Sequence, residues 1–286
     1  MVTLSAFADE ISADLAEQLD VLEAEGIKQI EFRSVWNKNV LDLSDDELRQ
    51  VREALDARGF RVSAVGSPIG KISILDDFVP HLAKFERAMD VAKYLGTPYI
   101  RIFSFFIPTG HNAGDYRDEV LRRLTQLVQR AAQSGLVLLH ENEKGIYGDE
   151  PERCLDILRE LSSDHFKFAF DPANFVQCGV KPFTEAFPAL GPYTAYIHIK
   201  DALLEGKRVV PVGQGDGEVK QILQAMFVNG YDGVLSIEPH LAQASAFAGF
   251  SGPELFHVAT VALKGLLKEL NQSWDGQSVH ARDEIL

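Results

Sequence analysis

Four places in this sequence end a short apolar run in a group that binds cations or moves protons. They read Leu139-His140-Glu141-Asn142, Phe170-Asp171-Pro172, Tyr196-Ile197-His198-Ile199-Lys200-Asp201 and Ile237-Glu238-Pro239-His240. On a strand, successive side chains face opposite ways. In the third run Ile197 and Ile199 then share one face, while Tyr196, His198 and Lys200 share the other. An imidazole, an ammonium and a phenol on one face cost desolvation unless they meet partners. The other three runs can supply partners. Glu141, Asp171 and Glu238 brought to one place repel strongly unless protonated or neutralised. A divalent cation is the economical neutraliser. Three carboxylates and one imidazole would leave a formal charge of about −1 around it, and such a set suits Mn²⁺ first, then Mg²⁺, Co²⁺ or Zn²⁺. The plainer alternatives are a buried structural histidine and solvated acids at a rim.

Convergence requires elements that aim these ends at one point. Runs with strand character alternate with helix-period segments along the whole chain. The strand expectations are Thr3–Ala8, Gln29–Arg33, Arg61–Gly66, Tyr99–Phe103, Leu136–Glu141, Lys167–Asp171, Ala195–Lys200 and Val234–Glu238. The helix expectations are Ala13–Glu25, Asp45–Arg58, Asp76–Leu95, Asp115–Ser134, Pro151–Leu161, Pro182–Ala189, Val219–Asn229 and Pro253–Leu270. Ser44 with Glu47 forms a capping-box pattern, and Gly96 before Pro98 is a helix stop. Eight strand–helix units without a composition break predict an α/β chain closed into a single (β/α)8 barrel over residues 1–270, with a polar tail over 271–286. An open doubly wound sheet is the alternative, but Phe7-Ala8-Asp9-Glu10 stands where its glycine fingerprint belongs.

Barrel sites sit at the C-terminal strand ends, and there Glu141, Asp171, His198 and Glu238 come from four consecutive strands. Parity places Ala169 and Lys167 inward with Asp171, and Ser236 and Val234 inward with Glu238. The same parity sends Glu31 and Arg33, and Tyr99, Arg101 and Phe103, into the lumen. Lys71 follows the third strand, and Lys200 shares the face of His198. These groups suit an anionic or polyhydroxylated ligand; a Glu31–Arg101 ion pair is the plain alternative. Phe105, Phe106 and Ile107 either wall the pocket against water or pack on a neighbouring subunit. The run Gly213-Gln214-Gly215-Asp216-Gly217 reads as a turn needing positive φ rather than a phosphate loop, since Asp216 has the wrong sign. Asp201 is expected to anchor the following loop, and Tyr196 to be core.

Composition narrows the partners. Among 286 residues, 28 Lys plus Arg against 42 Asp plus Glu leave a net charge of −14, which argues against nucleic acid and anionic membranes. Two cysteines suggest no disulfide framework, no apolar stretch approaches a membrane span, and the N-terminal residues lack signal-peptide character. A cytoplasmic location is the resulting expectation. No cysteine sits at a strand end beside a histidine, and no Gly-x-Ser-x-Gly occurs, so nucleophilic catalysis is poorly supported.

Taken in order, Glu141-Asn142 before Gly145, Asp171-Pro172-Ala173-Asn174 before Gly179, His198-Ile199-Lys200-Asp201, Pro211-Val212-Gly213-Gln214-Gly215-Asp216-Gly217 and Ile237-Glu238-Pro239 resemble the xylose isomerase-like TIM barrels. That superfamily holds sugar isomerases, ketose 3-epimerases and endonuclease IV. The resemblance implies that Glu141, Asp171, His198 and Glu238 hold one divalent metal, and that Glu141 and Glu238 flank a sugar or sugar derivative. One glutamate would remove a proton next to the carbonyl, and a proton would return from the other side or at the next carbon: isomerisation or epimerisation. Ketose 3-epimerases place a histidine where this chain has Asn174 and an arginine where it has Leu204, with Arg208 as the nearby substitute. Those departures favour the runner-up, β-elimination from a 3-keto-sugar or glycoside by a lyase or dehydratase. A sugar-binding barrel without turnover is the third reading. An endonuclease is disfavoured by the charge and by too few strand-end histidines. Asn174, Lys200 and Arg208 join Glu31, Arg33, Lys71 and Arg101 as expected substrate contacts, and association into a dimer or tetramer is the expected assembly.

Overall fold

Eight short parallel strands pair edge to edge until the last meets the first. They are β1 Thr3–Ala6, β2 Gln29–Phe32, β3 Arg61–Val65, β4 Tyr99–Ile102, β5 Val137–Glu141, β6 Phe166–Phe170, β7 Thr194–Ile199 and β8 Val234–Ile237. Their spatial order, β1-β8-β7-β6-β5-β4-β3-β2, is closed; Thr3 lies beside Val234 and Ser5 beside Gln29. This is the expected (β/α)8 barrel. The structure is a computed structural model and describes residues 1–242, 251–275 and 277.

The helices outside it are α1 Leu15–Ala24, α2 Asp45–Ala57, α3 Phe78–Leu95, α4 Arg117–Gln133, α5 Pro151–Leu161, α6 Pro172–Gln177, α7 Phe187–Leu190, α8 Val219–Val228 and α9 Gly252–Glu269. The capping box at α2 forms as Ser44 and Glu47 predict. Gly96 closes α3 at φ 75°, a conformation that costs glycine little.

Strand parity divides the core in two. Leu138, Phe168, Phe170, Ile197, Leu235 and Ile237 face outward into one apolar layer under the helices, each fully buried large side chain stabilising by about 1.5–3 kcal/mol. Ala64, Leu139, Ala169 and Tyr196 face inward and fill the lumen. Tyr196 hydrogen-bonds Ser63 at 2.9 Å, and Ser63 bonds Ser5 at 2.6 Å. The lumen is thus plugged at the level of Tyr196, and inward residues one step further along the strands open onto the mouth.

Four differences from the expected elements stand out. β1 ends at Ala6 rather than Ala8, and Ala8–Glu10 form a 3₁₀ turn that turns Asp9 and Glu10 toward Arg33 at the mouth. The single helix expected over Pro182–Ala189 is instead a wide turn, Pro182–Ala186, followed by α7; Pro188 has no N–H to carry a continuous ladder. α6 was not expected; Asp171 caps it by accepting from Asn174 N at 2.9 Å. The chain after residue 271, expected as a polar tail, begins by docking. Val2 N donates to Ser273 O, Leu4 N donates to Asp275 Oδ2, and Trp274 is 5% exposed. Residues 278–286 of that tail lie outside the described residues.

His81 on α3 yields a pH prediction. Its Nε2 accepts from Gly70 N at 2.8 Å, and burial, aided by Lys84 and Arg123, lowers its pKa from 6.5 to about 4. The unfolded chain takes up this proton below about pH 6.5 and the folded chain only near 4. Stability contributed by neutral His81 is thus complete above pH 6.5 and falls as pH drops toward 4, by roughly 3 kcal/mol at most. Chemical unfolding at pH 7 and pH 5 should show this loss in the wild type, and a shallower one in His81→Gln.

Candidate metal centre

The ends of β5, β6, β7 and β8 bring the four expected ligands together. Glu141, Asp171, His198 and Glu238 are all buried, and each offers a ligand atom within 4.8 Å of the others. Donors on opposite sides of an ion with bonds of about 2.0–2.2 Å stand roughly 4.2 Å apart. A closure of less than an ångström would seat one, so this buried group could bind a metal. Among the described residues, Glu141 Oε2, Asp171 Oδ2 and His198 Nδ1 are buried without a hydrogen bond. They do have charged neighbours: Arg101 Nη1 lies 3.3 Å from Glu141 Oε2, and Lys200 Nζ 2.7 Å from Asp171 Oδ2. Those contacts supply charge without hydrogen-bond alignment. Buried, unaligned oxygen and nitrogen donors facing one point are what a cation would satisfy.

Each candidate ligand is oriented by a neighbour. His198 Nε2 lies 3.1 Å from Glu31 Oε2, and its Nδ1 lies 3.1 Å from Glu141 Oε1. Glu31 thus holds the ring with Nδ1 toward the acids, the arrangement by which an outer carboxylate fixes a ligating imidazole. Asn174 donates from Nδ2 to Glu141 Oε1 at 3.2 Å and to Asn142 O at 2.9 Å. Asp171 spends Oδ1 on the cap of α6, which frees Oδ2 for the centre. Glu238 accepts from Arg33 Nη1 at 2.8 Å and from Lys200 Nζ at 3.0 Å, and bonds His240 Nε2 at 3.0 Å.

These contacts set the charges. Burial would raise Glu141, but His198 and Arg101 outweigh it and bring the carboxyl to about 2. Burial, with repulsion from Glu141 and Glu238, raises Asp171 to about 6 even beside Lys200. Glu238 falls well below the usual range because Lys200, His240 and Arg33 outweigh its burial. Seven carboxylates (Asp9, Glu10, Glu31, Glu141, Glu143, Asp171, Glu238) meet four fixed cations (Arg33, Lys71, Arg101, Lys200) at the mouth. Burial would lower His198, but Glu141 and Glu31 outweigh it and raise its pKa well above 6.5, so the ring is protonated until an ion displaces that proton. Counted with both imidazoles neutral, the state in which His198 can ligate, three negative charges remain, and one divalent ion would remove two of them.

The expected substrate contacts fare differently. Arg33 is gripped by Asp9, Glu10 and Glu238 at 2.7–2.8 Å. Lys200 bridges Asp171 and Glu238. Glu31 pairs with His198, so the alternative Glu31–Arg101 pair does not form; Arg101 pairs with Glu141. Lys71 pairs with Glu143 at 2.9 Å. Arg208 is not brought in: its side chain is exposed on the hairpin made by Asp201–Ala202 and Val209–Val210. Phe105 packs against Phe78 and His81 under the helices rather than walling the pocket.

Sequence reasoning missed four contributors. Asp9 and Glu10 close the ring around Arg33, although two acids at a strand end were a readable signal. His240 bonds Glu238 from a left-handed backbone at φ 43°. Phe7 is the platform: its ring lies 5.2 Å from His198, 4.6 Å from the Arg33 guanidinium and 5.0 Å from that of Arg101. A cavity of about 240 Å³ is bordered by Glu141, Glu238, Lys200, Arg33, Lys71 and Asn174 among others. That is below the ~300–1,000 Å³ of sites for drug-sized ligands. It suits one small polar molecule.

A model of the xylose isomerase-like TIM barrel matches residues 19–254. The chain belongs to that family. A relative in Methanocaldococcus jannaschii, the uncharacterized protein MJ1311, is 24% identical over 157 residues, 53% of this chain and 54% of that protein; the match spans about half the length of this curated relative. Among solved members of the fold, a D-tagatose 3-epimerase-like protein superposes with a TM-score of 0.76 at 18% identity, over 94% of this chain and 98% of that one. The IOLI protein, solved with a zinc atom, superposes with a TM-score of 0.75 at 17% identity, over 94% and 99%. At such identities these likenesses concern the shared barrel.

Proposed function

We propose that this protein is a divalent-metal-dependent isomerase or epimerase of a sugar or keto-sugar, with Glu141, Asp171, His198 and Glu238 as the metal ligands. The observation that carries the reading is the convergence of these four ligand atoms within 4.8 Å beside a small polar cavity. The family membership and the epimerase-like and zinc-containing structures of the same fold support it. Mn²⁺ is the ion proposed first.

The bound ion would polarise a carbonyl and so acidify the neighbouring C–H. The remaining work falls to this chain. Glu141 and Glu238 border the cavity from strands separated by β6 and β7. Both are held as carboxylates, the state a general base needs. One takes the proton from carbon and, now a carboxylic acid, can return it at the adjacent carbon, which is isomerisation. Return at the opposite face needs the other glutamate to enter the step carrying a proton, which is epimerisation. Arg33, His240 and Lys200 keep Glu238 in place, while Asn174 and Arg101 do so for Glu141. Phe7 packs against His198, Arg33 and Arg101 and so backs three of these groups.

Loss of a leaving group after the same proton abstraction would make the protein a lyase on a 3-keto-sugar. Asn174 favours that second reading, because it is spent on Glu141 and Asn142 instead of reaching for a substrate hydroxyl. Chromatography of the products from ketoses and 3-keto-glycosides separates the two: an isomer of the substrate under the first reading, a released aglycone or water under the second. Unchanged sugar in every case overturns both.

The outer carboxylate gives a sharper expectation. Glu31→Gln keeps the hydrogen-bonding shape but loses the charge behind the imidazole, and should weaken metal binding by about 10–100-fold. Titration of apo protein with Mn²⁺ checks this; unchanged affinity would remove Glu31 from the ion's support.

A further inference from the structure

We infer that the proposed sugar site is built for an uncharged substrate and turns away its phosphorylated counterpart, with Glu143 as the residue that sets this preference. The inference rests on the functional reading above and adds the class of substrate.

A phosphoryl group brings about −1.5 to −2 charges and three strong acceptor oxygens. It needs unspent donors, and the structure shows where these would be. The cations bordering the cavity are Arg33, Lys71, Arg101 and Lys200. Arg33 and Lys200 are each held by at least two carboxylates, and Arg101 is spent on Glu141 and the Gly66 and Ser67 carbonyls. Lys71 is the most accessible of the four that has a single carboxylate partner. That partner is Glu143, 2.9 Å away and 21% exposed, with the ammonium 4.2 Å above the Phe103 ring. A phosphate reaching Lys71 would have to displace Glu143 or sit beside it. Residues 243–250, which lie outside the described residues, contain no Lys or Arg.

The second place is the loop after β7, where barrels of this architecture often bind phosphate. Its backbone donors are already taken. Gly213 N and Gly215 N donate to Asp201 Oδ2 at 2.9 and 3.1 Å, and Gly217 N donates to Asp201 Oδ1 at 2.8 Å. A Cβ at Gly215 would lie 2.3 Å from that carboxylate. The loop is wrapped around an anion, and the anion is part of the chain. At the start of α8, Glu218 accepts from Phe183 N, Thr184 N and Thr184 Oγ1, which adds a further negative charge there. A site that excludes one ligand by an opposing charge achieves specificity as much as one that attracts another.

The test compares wild type, Glu143→Gln and Glu143→Gln/Lys71→Met, all carrying the same measured metal content, by calorimetric titration with inorganic phosphate. Phosphate that merely ligates an ion would bind all three alike. The inference predicts about tenfold tighter binding to Glu143→Gln than to wild type, and return to the wild-type value in the double variant. Equal binding by wild type and Glu143→Gln overturns the role of Glu143, as does tighter binding that survives loss of Lys71. No turnover is needed, so this result stands apart from the fate of the functional reading. A second measurement compares ketoses with their monophosphates in the wild type. Equal or tighter binding of the phosphates overturns the substrate class.

Discussion

Under the proposed function, Glu238→Gln should lower turnover by about 10²–10⁴-fold, the range a positioned general base contributes, while the barrel remains folded. The amide keeps the size of the side chain and loses both the proton-accepting charge and one ionic ligand. The loss extends beyond chemistry, because Glu238 is the shared partner of Arg33, Lys200 and His240. Breaking a buried ion pair from one side costs about 3–5 kcal/mol when the other charge is stranded. Here neither cation is stranded: Arg33 keeps Asp9 and Glu10, and Lys200 keeps Asp171. The expected stability loss therefore falls below that range, and thermal melts should show a modest drop beside a very large drop in kcat. Turnover within about tenfold of wild type would take Glu238 out of the proton-transfer step.

Removal of the proposed metal should have the second large effect. Without an ion, three buried carboxylates depend on Lys200, Arg101 and Arg33 for compensation, and Asp171 already shows the strain in a pKa raised to about 6. A ligand that binds only the folded chain stabilises it by about 4 kcal/mol at a thousandfold excess over Kd. In a chain of 286 residues this corresponds to a Tm shift on the order of 10 °C. A chelator should therefore abolish turnover and lower Tm together, and Mn²⁺ should restore both. An unchanged Tm and unchanged turnover, with metal analysis confirming depletion, would contradict a metal centre.

The barrel was legible because most strands are brief runs with apolar residues on one or both faces, bounded by glycine, proline or a cap. The cluster that could bind a metal was legible because four of those runs end in a side chain able to ligate and of the right parity. What escaped was pairing across the lumen. Glu31 lies nearer to Arg101 in sequence, yet closure of the barrel places it against His198, 167 positions away. Arg33, Arg101 and Lys200 look like hands for a substrate until the fold surrounds them with acids. Asp9 and Glu10 gain their meaning only when β1 meets β8 and brings Glu238 and His240 alongside. Arg208 failed for a local reason: the hairpin that carries it turns its side chain to solvent. Charge signs and strand parity can be read from one segment, whereas ion-pair partners belong to the closed circle.

The most direct measurement incubates metal-loaded protein with a panel of ketoses and 3-keto-sugars in D₂O and follows deuterium by NMR and mass spectrometry. Deuterium is expected on a carbon next to the carbonyl of at least one sugar, and it should be lost on metal removal and in Glu238→Gln. Metal-loaded protein that binds a sugar of the panel and exchanges no carbon-bound proton would contradict the proposed function.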